Sequence, residues 1–429
     1  MPDTETIKYE PMGNELRIED VQMYNKGGHH PVHLDDILDG RFEVVHKLGN
    51  GGFGIVWLCR DIETGKWRAV KIMAANRSST ETEEKISMHL RNRCTLKEIE
   101  NNHVTMPLEQ FWLEGPNGRH LCFVMPVLGI PISDWHLTRK ITPEQTTADE
   151  KDICHQIIEA LHFLHSHGIC HGDIKPGNIL VKVEGIDELS KEQIIEMMGG
   201  LDLIEIETVS GNPPGPRAPE YCVMSAVEFW CENLLTKSIT IIDFGESFLY
   251  DDPPKSTGIP DIYAAPEVIF QSSEVPGPYS DIWSLACIIF EICMEFYLGP
   301  LPGSYRSVWW PPSIKSSPLP TTELQPVTQS HHQLLEERNM STEGSGYSDT
   351  LEADLGKEKC ICPELDGSDN LSSDQLPMVI HYRNRKEDVL SLADLMRKML
   401  KYDPVARIDI KTVISHPWVS KPTNTSYQP

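Results

Sequence analysis

Basic residues are scarce in this sequence of 429 residues, and long apolar runs are missing. Lys and Arg number 38 against 64 Asp and Glu, which gives a formal net charge of −26. This balance argues against a protein that coats nucleic acid or an anionic membrane through bulk charge, and it favours cationic partners. The most apolar stretch, residues 285–298, is interrupted by Glu291 and Glu295 and is too short to span a bilayer.

A CxxC motif and an apolar leader are also missing. Of the 11 cysteines only Cys360 and Cys362 lie close together, and no CxxC spacing occurs, which favours reduced thiols. The polar opening of the chain has no basic segment followed by an apolar one, so we expect no signal peptide. These features predict an intracellular protein, cytoplasmic or nuclear, with no membrane and no direct nucleic-acid contact.

The hydrophobic pattern predicts an α+β protein. Short runs rich in Val, Ile and aromatics, at 41–49, 54–62 and 68–73, predict three consecutive strands. Helical periodicity occurs at 149–167, and residues 280–296 are apolar nearly all round, as in a buried helix. This order predicts a small β-rich lobe and a larger helical lobe, with the ligand between them.

The same pattern predicts the domain boundaries. We expect an N-terminal extension at 1–40, an N-terminal lobe at 41–128, a C-terminal lobe at 129–420 and a tail at 421–429. The C-terminal lobe carries two insertions, at about 182–238 and 311–376. The second is rich in Pro, Ser, Thr and acids and has few large apolar residues, so we expect most of it to be loosely packed or disordered.

A glycine motif and a lysine point to phosphate. Gly49, Gly51 and Gly54 form a GxGxxGxV pattern between two predicted strands, where the backbone can approach phosphate oxygens without a Cβ atom in the way. A dinucleotide-binding motif would need a helix next, and a plain turn is the alternative. Lys71 follows within an apolar strand, where a buried ammonium needs an anion or an edge position.

Two polar motifs further along the chain carry transfer chemistry. In HGDIKPGNIL, Asp173 is placed to accept a proton from a hydroxyl, Lys175 to neutralise transferred charge, and Asn178 to bind Mg²⁺. Asp243 follows a predicted strand, where its carboxylate is available to a metal ion. Each motif taken alone is also an ordinary turn.

Together, in this order, these four elements resemble the protein-kinase set. Ala265-Pro266-Glu267 matches the end of a kinase activation segment, and Arg407 matches the arginine that pairs with that glutamate. Asp281 matches the aspartate that braces the catalytic loop in this family, with a helix N-cap as the alternative. The resemblance implies a bilobal kinase fold that uses ATP and Mg²⁺.

The resemblance also implies further site residues. Glu83 is expected to orient Lys71, with Glu84 as the alternative because Thr80 and Glu83 also form a capping box. The implied nucleotide-binding residues are Leu48, Gly49, Asn50, Gly51, Gly52, Phe53, Gly54, Val56, Ala69, Lys71, Met125, Val127, Leu128 and Leu180.

The catalytic motif departs from the common pattern. Gly172 replaces the arginine that usually binds a phosphorylated activation segment, so we expect a kinase that needs no such phosphate. The sequence HGD…PGNIL also resembles aminoglycoside and choline phosphotransferases, which leaves a small-molecule phosphotransferase as an alternative. A nucleotide-binding scaffold without catalysis is a further alternative, although Lys71, Asp173, Asn178 and Asp243 are all present.

Three further segments are similar to SR-protein kinases, in particular to divergent forms of filamentous fungi: YNKGGHHPVHL (24–34), SDIWSLAC (280–287) and HPW (416–418). The resemblance implies a monomeric serine/threonine kinase that acts on Arg/Ser-rich proteins. The net charge of −26 suits such basic partners, and solubility together with an acidic disordered insertion is the alternative explanation of that charge. Two departures are that HGD replaces the family's HTD, and that Pro126 stands where a hinge glutamate is common.

Overall fold

The computed structural model describes residues 7–13, 17–78, 81–134, 143–225, 234–269, 275–294, 355–356, 359–361 and 380–420. The chain divides into two compact units. The β-rich unit takes Met1–Ser87, Thr105–Trp135 and Leu180–Lys237, and the helical unit takes Met88–Val104, His136–Ile179 and Ser238–Pro429. The predicted insertion at 311–376 lies almost entirely outside the described residues, and the predicted tail at 421–429 lies wholly outside them.

The elements are numbered along the chain. The strands are β1 (Tyr9–Pro11), β2 (Ile37–Leu38), β3 (Phe42–Gly51), β4 (Gly54–Asp61), β5 (Lys66–Met73), β6 (Glu109–Gly115), β7 (Gly118–Met125), β8 (Leu128–Pro131), β9 (Ile169–Cys170), β10 (Ile179–Val183), β11 (Leu203–Thr208), β12 (Tyr221–Val223), β13 (Leu235–Ile241), β14 (Phe248–Leu249), β15 (Lys359–Ile361) and β16 (Ile380–Tyr382). The helices are α1 (Glu81–Arg91), α2 (Leu96–Asn101), α3 (Pro143–Ser166), α4 (Lys191–Met197), α5 (Pro266–Ile269), α6 (Pro278–Met294), α7 (Lys386–Met399), α8 (Ile410–Ile414) and α9 (Pro417–Ser420).

The main sheet of the β-rich unit has six strands in the order β2-β3-β4-β5-β7-β6, and every pairing in it is antiparallel. The three predicted consecutive strands are confirmed as β3, β4 and β5. β7 ends at Met125 and β8 begins at Leu128, so the strand character is interrupted at Pro126. Proline has no N–H to donate to a ladder, which explains the interruption.

Residues 180–237 pack within the β-rich unit rather than with the residues that follow them. β11 pairs with β1 and β12 in a small antiparallel sheet, so the N-terminal extension and this insertion fold together. Ile206 and Cys222 of this sheet lie in one core cluster with Phe42 and Trp57 of the main sheet. The extension and the insertion therefore complete a core that the main sheet cannot close alone.

A second part of the insertion covers another cluster of the main sheet. Ile194 of α4 lies in a core cluster with Val45 and Trp67. The Trp67 indole N–H donates to the Leu189 carbonyl (3.1 Å), and the Trp67 backbone N–H donates to the Asp187 carboxylate (2.8 Å). These contacts join residues more than one hundred positions apart, so a local sequence pattern does not predict them.

The helical unit contains the helices that the periodicity predicts. Four residues of α3 at the predicted spacing, Ile153, Ile157, Leu161 and Leu164, are all buried. α6 is buried nearly all round, as its apolar composition predicts. Among the residues that the structure describes, no helix is long and apolar enough to cross a membrane.

The packing of the insertion predicts a difference between two residues of β11. Ile206 is 2% exposed, whereas Leu203 is 45% exposed. We expect Ile206→Ala to lower the free energy of unfolding by about 3 kcal/mol, because it leaves a cavity in the shared core. We expect the control Leu203→Ala to change it by less than about 0.5 kcal/mol. Guanidinium unfolding measures both, and equal effects would contradict the assigned packing.

Candidate active site

The glycine motif forms the tip of the β3–β4 hairpin. Gly51 pairs with Gly54, and Gly49 pairs with Val56. At Gly49, Gly51 and Gly52 an added Cβ atom would have no neighbouring atom within 4 Å, so open space borders this backbone. Such space beside unshielded amides suits phosphate oxygens. At Gly54 the constraint differs, because a Cβ atom there would lie 2.3 Å from the Ile72 carbonyl oxygen.

Lys71 lies on β5 between the buried residues Val70 and Ile72. In the same unit, Glu83 is 3% exposed near the start of α1, while its neighbour Glu84 is exposed. A buried carboxylate needs a compensating charge or hydrogen bonds, whereas an exposed one does not. Burial therefore favours Glu83 over Glu84 as the residue that orients Lys71.

The predicted apolar nucleotide-binding residues lie in the β-rich unit with the glycine hairpin. Ala69 is paired with Met125 across β5 and β7, and Leu128 of β8 is paired with Lys182 of β10. Val127, in the predicted hinge, is buried. Apolar side chains of this kind suit a flat heteroaromatic ring such as adenine.

The catalytic motif lies between β9 and β10 in the helical unit. The Asp173 carboxylate is buried and accepts hydrogen bonds at Oδ2 from Lys175 Nζ (2.6 Å) and Asn178 Nδ2 (3.0 Å). Asn178 Nδ2 also donates to the Asp173 carbonyl (2.8 Å). The other carboxylate oxygen, Oδ1, is buried and has no hydrogen-bond partner among the described residues. The carboxylate is thus held in one orientation with one acceptor oxygen available.

Asp281 of α6 braces this motif. Its carboxylate accepts hydrogen bonds from the backbone N–H of His171 (2.8 Å) and of Gly172 (3.0 Å), and from the His165 imidazole (2.9 Å). Burial alone would raise the pKa of Asp281, but the His165 and Gly172 interactions lower it below its ordinary value. The bracing role implied by the kinase resemblance is therefore present, whereas the role of His165 had no signal in the sequence analysis.

The two predicted metal ligands come close together in the helical unit. Asp243 follows β13, and the N–H of its neighbour Ile242 donates to the Asn178 carbonyl (3.0 Å). Asp243 has φ of 66°, a backbone conformation that is costly for a residue with a side chain. No group of three or more His, Cys, Asp and Glu suited to a metal occurs among the described residues. An amide oxygen and a carboxylate fit Mg²⁺, which keeps water and phosphate ligands, better than a structural zinc ion.

The segment after Asp243 is attached to the catalytic motif by short contacts. Ser247 Oγ donates to the His171 carbonyl (2.8 Å), and the Gly258 N–H donates to the Glu246 carboxylate (2.8 Å). Gly172 has φ of +77°, and a Cβ atom there would lie 2.3 Å from the Glu246 carbonyl oxygen. The backbone after Asp243 therefore leaves no room for a side chain at position 172. The sequence did not identify Glu246, because its role depends on the close approach of its backbone to Gly172.

The end of the segment is held by an ion pair. Both guanidinium Nη atoms of Arg407 donate to the Glu267 carboxylate, at 2.7 and 2.6 Å, and both side chains are buried. Arg407 also donates to the Tyr279 carbonyl (2.9 Å). This two-point geometry is the strong form of an arginine–carboxylate contact, and it matches the pairing implied by the sequence.

The predicted site residues thus form two sets. The glycine hairpin, Lys71, Glu83 and the apolar residues lie in the β-rich unit, and Asp173, Lys175, Asn178 and Asp243 lie in the helical unit. The fold is that of protein kinases: a crystal structure of a kinase domain superposes with a TM-score of 0.51 at 21% sequence identity, covering 91% of this chain and 99% of that one.

Residues 42–191 match the family model described as protein kinase domain. The chain is 36% identical over 169 residues to SRSF protein kinase 3 of Homo sapiens and 35% identical over 182 residues to serine/threonine-protein kinase spk-1 of Caenorhabditis briggsae. These matches cover 38% and 41% of this chain but only 30% and 15% of the two relatives. Dual specificity protein kinase CLK1 of Homo sapiens is 27% identical over 403 residues, which are 91% of this chain and 68% of that protein.

Over residues 42–191 the chain is therefore similar to protein kinase domains, and the similarity to CLK1 extends over most of its length. Within that class it resembles SR-protein kinases, as the segments outside the catalytic motifs predicted.

The conformation of Gly172 predicts the effect of its replacement. We expect Gly172→Ala to lower the free energy of unfolding by about 1–3 kcal/mol, because φ is positive and the Glu246 carbonyl must move. Gly177→Ala is the matched control in the same motif, since Gly177 is exposed and its Cβ atom would have no neighbour within 4 Å. Thermal unfolding compares the two, and a wild-type midpoint for Gly172→Ala would contradict the described backbone.

Proposed function

We propose that this protein is an ATP-dependent serine/threonine kinase that transfers the γ-phosphate of MgATP to protein hydroxyl groups. The observation that carries the proposal is the hydrogen bonding of the two Asp173 carboxylate oxygens. Its Oδ2 atom is occupied by Lys175 and Asn178, while its buried Oδ1 atom has no partner among the described residues. Leaving a buried acceptor without a hydrogen bond costs free energy, and within the catalytic motif this atom suits a hydroxyl donor of a substrate.

The residues supply separate parts of the reaction. The open backbone of the glycine hairpin and Lys71 hold phosphate oxygens, and Glu83 orients Lys71. Asp173 Oδ1 accepts the hydroxyl proton of the substrate, and Lys175 stabilises charge on the transferred group. Asn178 and Asp243 hold Mg²⁺, which neutralises phosphate charge when it is bound. The protein thus acts mainly by positioning and electrostatics.

The substrate class follows from charge and from the names of the relatives. We propose serines in Arg/Ser-rich proteins, because SRSF protein kinase 3 is among the relatives and the net charge of −26 attracts cationic chains. The contribution of charge is tested by salt. Attraction between exposed charges is screened at high ionic strength, so the KM for such a substrate should rise with salt.

A transfer assay tests the activity and the substrate class. Purified protein is incubated with Mg²⁺ and radiolabelled ATP and offered an Arg/Ser-repeat peptide, a generic serine peptide of equal charge, an aminoglycoside and choline. We expect label on the Arg/Ser peptide. Asp173→Asn keeps the shape of the side chain but cannot accept the proton, so we expect it to lower kcat by about 10²–10⁴-fold.

The outcomes separate the alternatives. Label on both peptides would retain the kinase and reject the Arg/Ser specificity. Label on the aminoglycoside or choline alone would overturn the protein-kinase proposal in favour of a small-molecule phosphotransferase. Tight nucleotide binding without label on any acceptor would favour a non-catalytic scaffold.

We further propose that activity needs no phosphate on the activation segment. Position 172, where an arginine commonly receives that phosphate, has no room for a side chain. The Glu246 carboxylate instead holds the segment through the Gly258 N–H, and Ser247 Oγ holds it through the His171 carbonyl. These contacts use only groups of the unmodified chain, so no phosphate is required to form them.

Phosphatase treatment tests this independence. We expect the treated protein to retain its kcat within about twofold, because side-chain and backbone groups of the unmodified chain hold the segment. Ser256→Ala, which removes an exposed hydroxyl of the segment, should behave in the same way. Glu246→Gln keeps the size of the side chain but removes its charge, and we expect a several-fold lower kcat. A tenfold loss after phosphatase treatment would reject the proposal.

A further inference from the structure

A buried carboxylate joins three segments of the β-rich unit. Glu19, in the N-terminal extension, is 3% exposed. It accepts hydrogen bonds from the Tyr24 hydroxyl of the extension, from Lys47 Nζ of β3 (2.5 Å) and from Cys222 Sγ of the insertion (3.3 Å). Lys47 itself has no exposed surface.

The donors around Glu19 favour its carboxylate form. Burial alone would raise its pKa, but the Lys47 charge and the hydrogen bonds from Lys47 and Tyr24 lower it below the ordinary value. Burial and the Glu19 charge raise the pKa of the Tyr24 hydroxyl, so that hydroxyl remains a donor. Without this carboxylate, the Lys47 ammonium would be a buried charge without compensation. The two side chains are therefore held together in one geometry.

The position of Lys47 gives this group a consequence beyond stability. Lys47 precedes Leu48 and Gly49 on β3, directly before the glycine hairpin. A second contact reaches the hairpin itself, since Ser225 Oγ, which follows β12, lies 3.4 Å from Asn50 Oδ1. The small sheet formed by the extension and the insertion thus contacts the hairpin at its base and near its tip.

We infer that Glu19 is a positioning residue for nucleotide phosphates: it holds the glycine hairpin through Lys47. The inference rests on the proposed kinase function, because it assigns the hairpin to phosphate. A hairpin fixed before binding loses less conformational freedom when it closes on phosphate oxygens, which increases affinity without new contacts. Releasing the hairpin from the Glu19–Lys47 pair should therefore lower nucleotide affinity more than it lowers the rate of the transfer step.

The variants are chosen to keep the fold. Glu19→Gln alone leaves the Lys47 charge buried without a partner, so the double variant Glu19→Gln/Lys47→Met, which removes both charges, carries the test. Tyr24→Phe removes one donor to Glu19 and keeps the buried ring. Glu10→Gln is the control, because Glu10 lies exposed on β1 of the same small sheet.

The measurements are the Kd for MgADP without a phosphoacceptor, the KM for ATP, the KM for peptide, kcat and the midpoint of thermal unfolding. For the double variant we expect the Kd for MgADP and the KM for ATP to rise about five- to tenfold. We expect kcat and the KM for peptide to stay within about twofold, since the transfer residues lie in the other unit. Tyr24→Phe should give a smaller rise in the Kd for MgADP, and Glu10→Gln should leave this Kd unchanged.

Two results for the double variant would overturn the inference. The first is an unchanged Kd for MgADP. The second is a loss of nucleotide affinity that is accompanied by a comparable loss of kcat and a lower unfolding midpoint, which would make Glu19 purely structural. Failure of the proposed function is distinguishable. If the unmodified protein binds MgADP but labels no acceptor, the kinase proposal fails while the Kd comparison still decides the role of Glu19.

Discussion

The arrangement of the catalytic motif depends on one buried carboxylate, that of Asp281. It satisfies the backbone N–H groups of His171 and Gly172 and the imidazole of His165 at the same time. Without it, two buried amides beside Asp173 would lose this acceptor, and a buried amide without an acceptor costs free energy. Because α6 is buried nearly all round, the carboxylate is attached to a packed helix and fixes the backbone directly before Asp173.

The β-rich unit is organised by a comparable group at Glu19. There a single carboxylate receives donors from the extension, the main sheet and the insertion, which are far apart in sequence. Apolar packing of Ile206 and Cys222 with Phe42 adds the hydrophobic part of the same junction. Segments that flank or interrupt the kinase motifs are thus part of the core of this unit.

The sequence predicted the position of each motif of the candidate site, because each motif is local. The glycine hairpin, Asp173 with Lys175 and Asn178, and the strand end before Asp243 lie on the elements that their neighbours imply. It was less informative where a role depends on a distant contact. Glu246, His165 and Glu19 carry no local signal, since each acts on a group brought near it only by folding. The packing of residues 180–237 with the first strands also depends on contacts between distant residues, so the local sequence did not predict it.

The sequence by itself predicted the class of fold, the order of strands and helices, and the local motifs of the candidate site, because hydrophobic period and turn chemistry are properties of short segments. The tertiary structure decided which of Glu83 and Glu84 is buried, why position 172 is glycine, and where the insertion packs. These are questions of space and of charge compensation between distant residues. Only the folded chain brings the Glu246 carbonyl to Gly172 and Lys47 to Glu19, and so only the folded chain answers them.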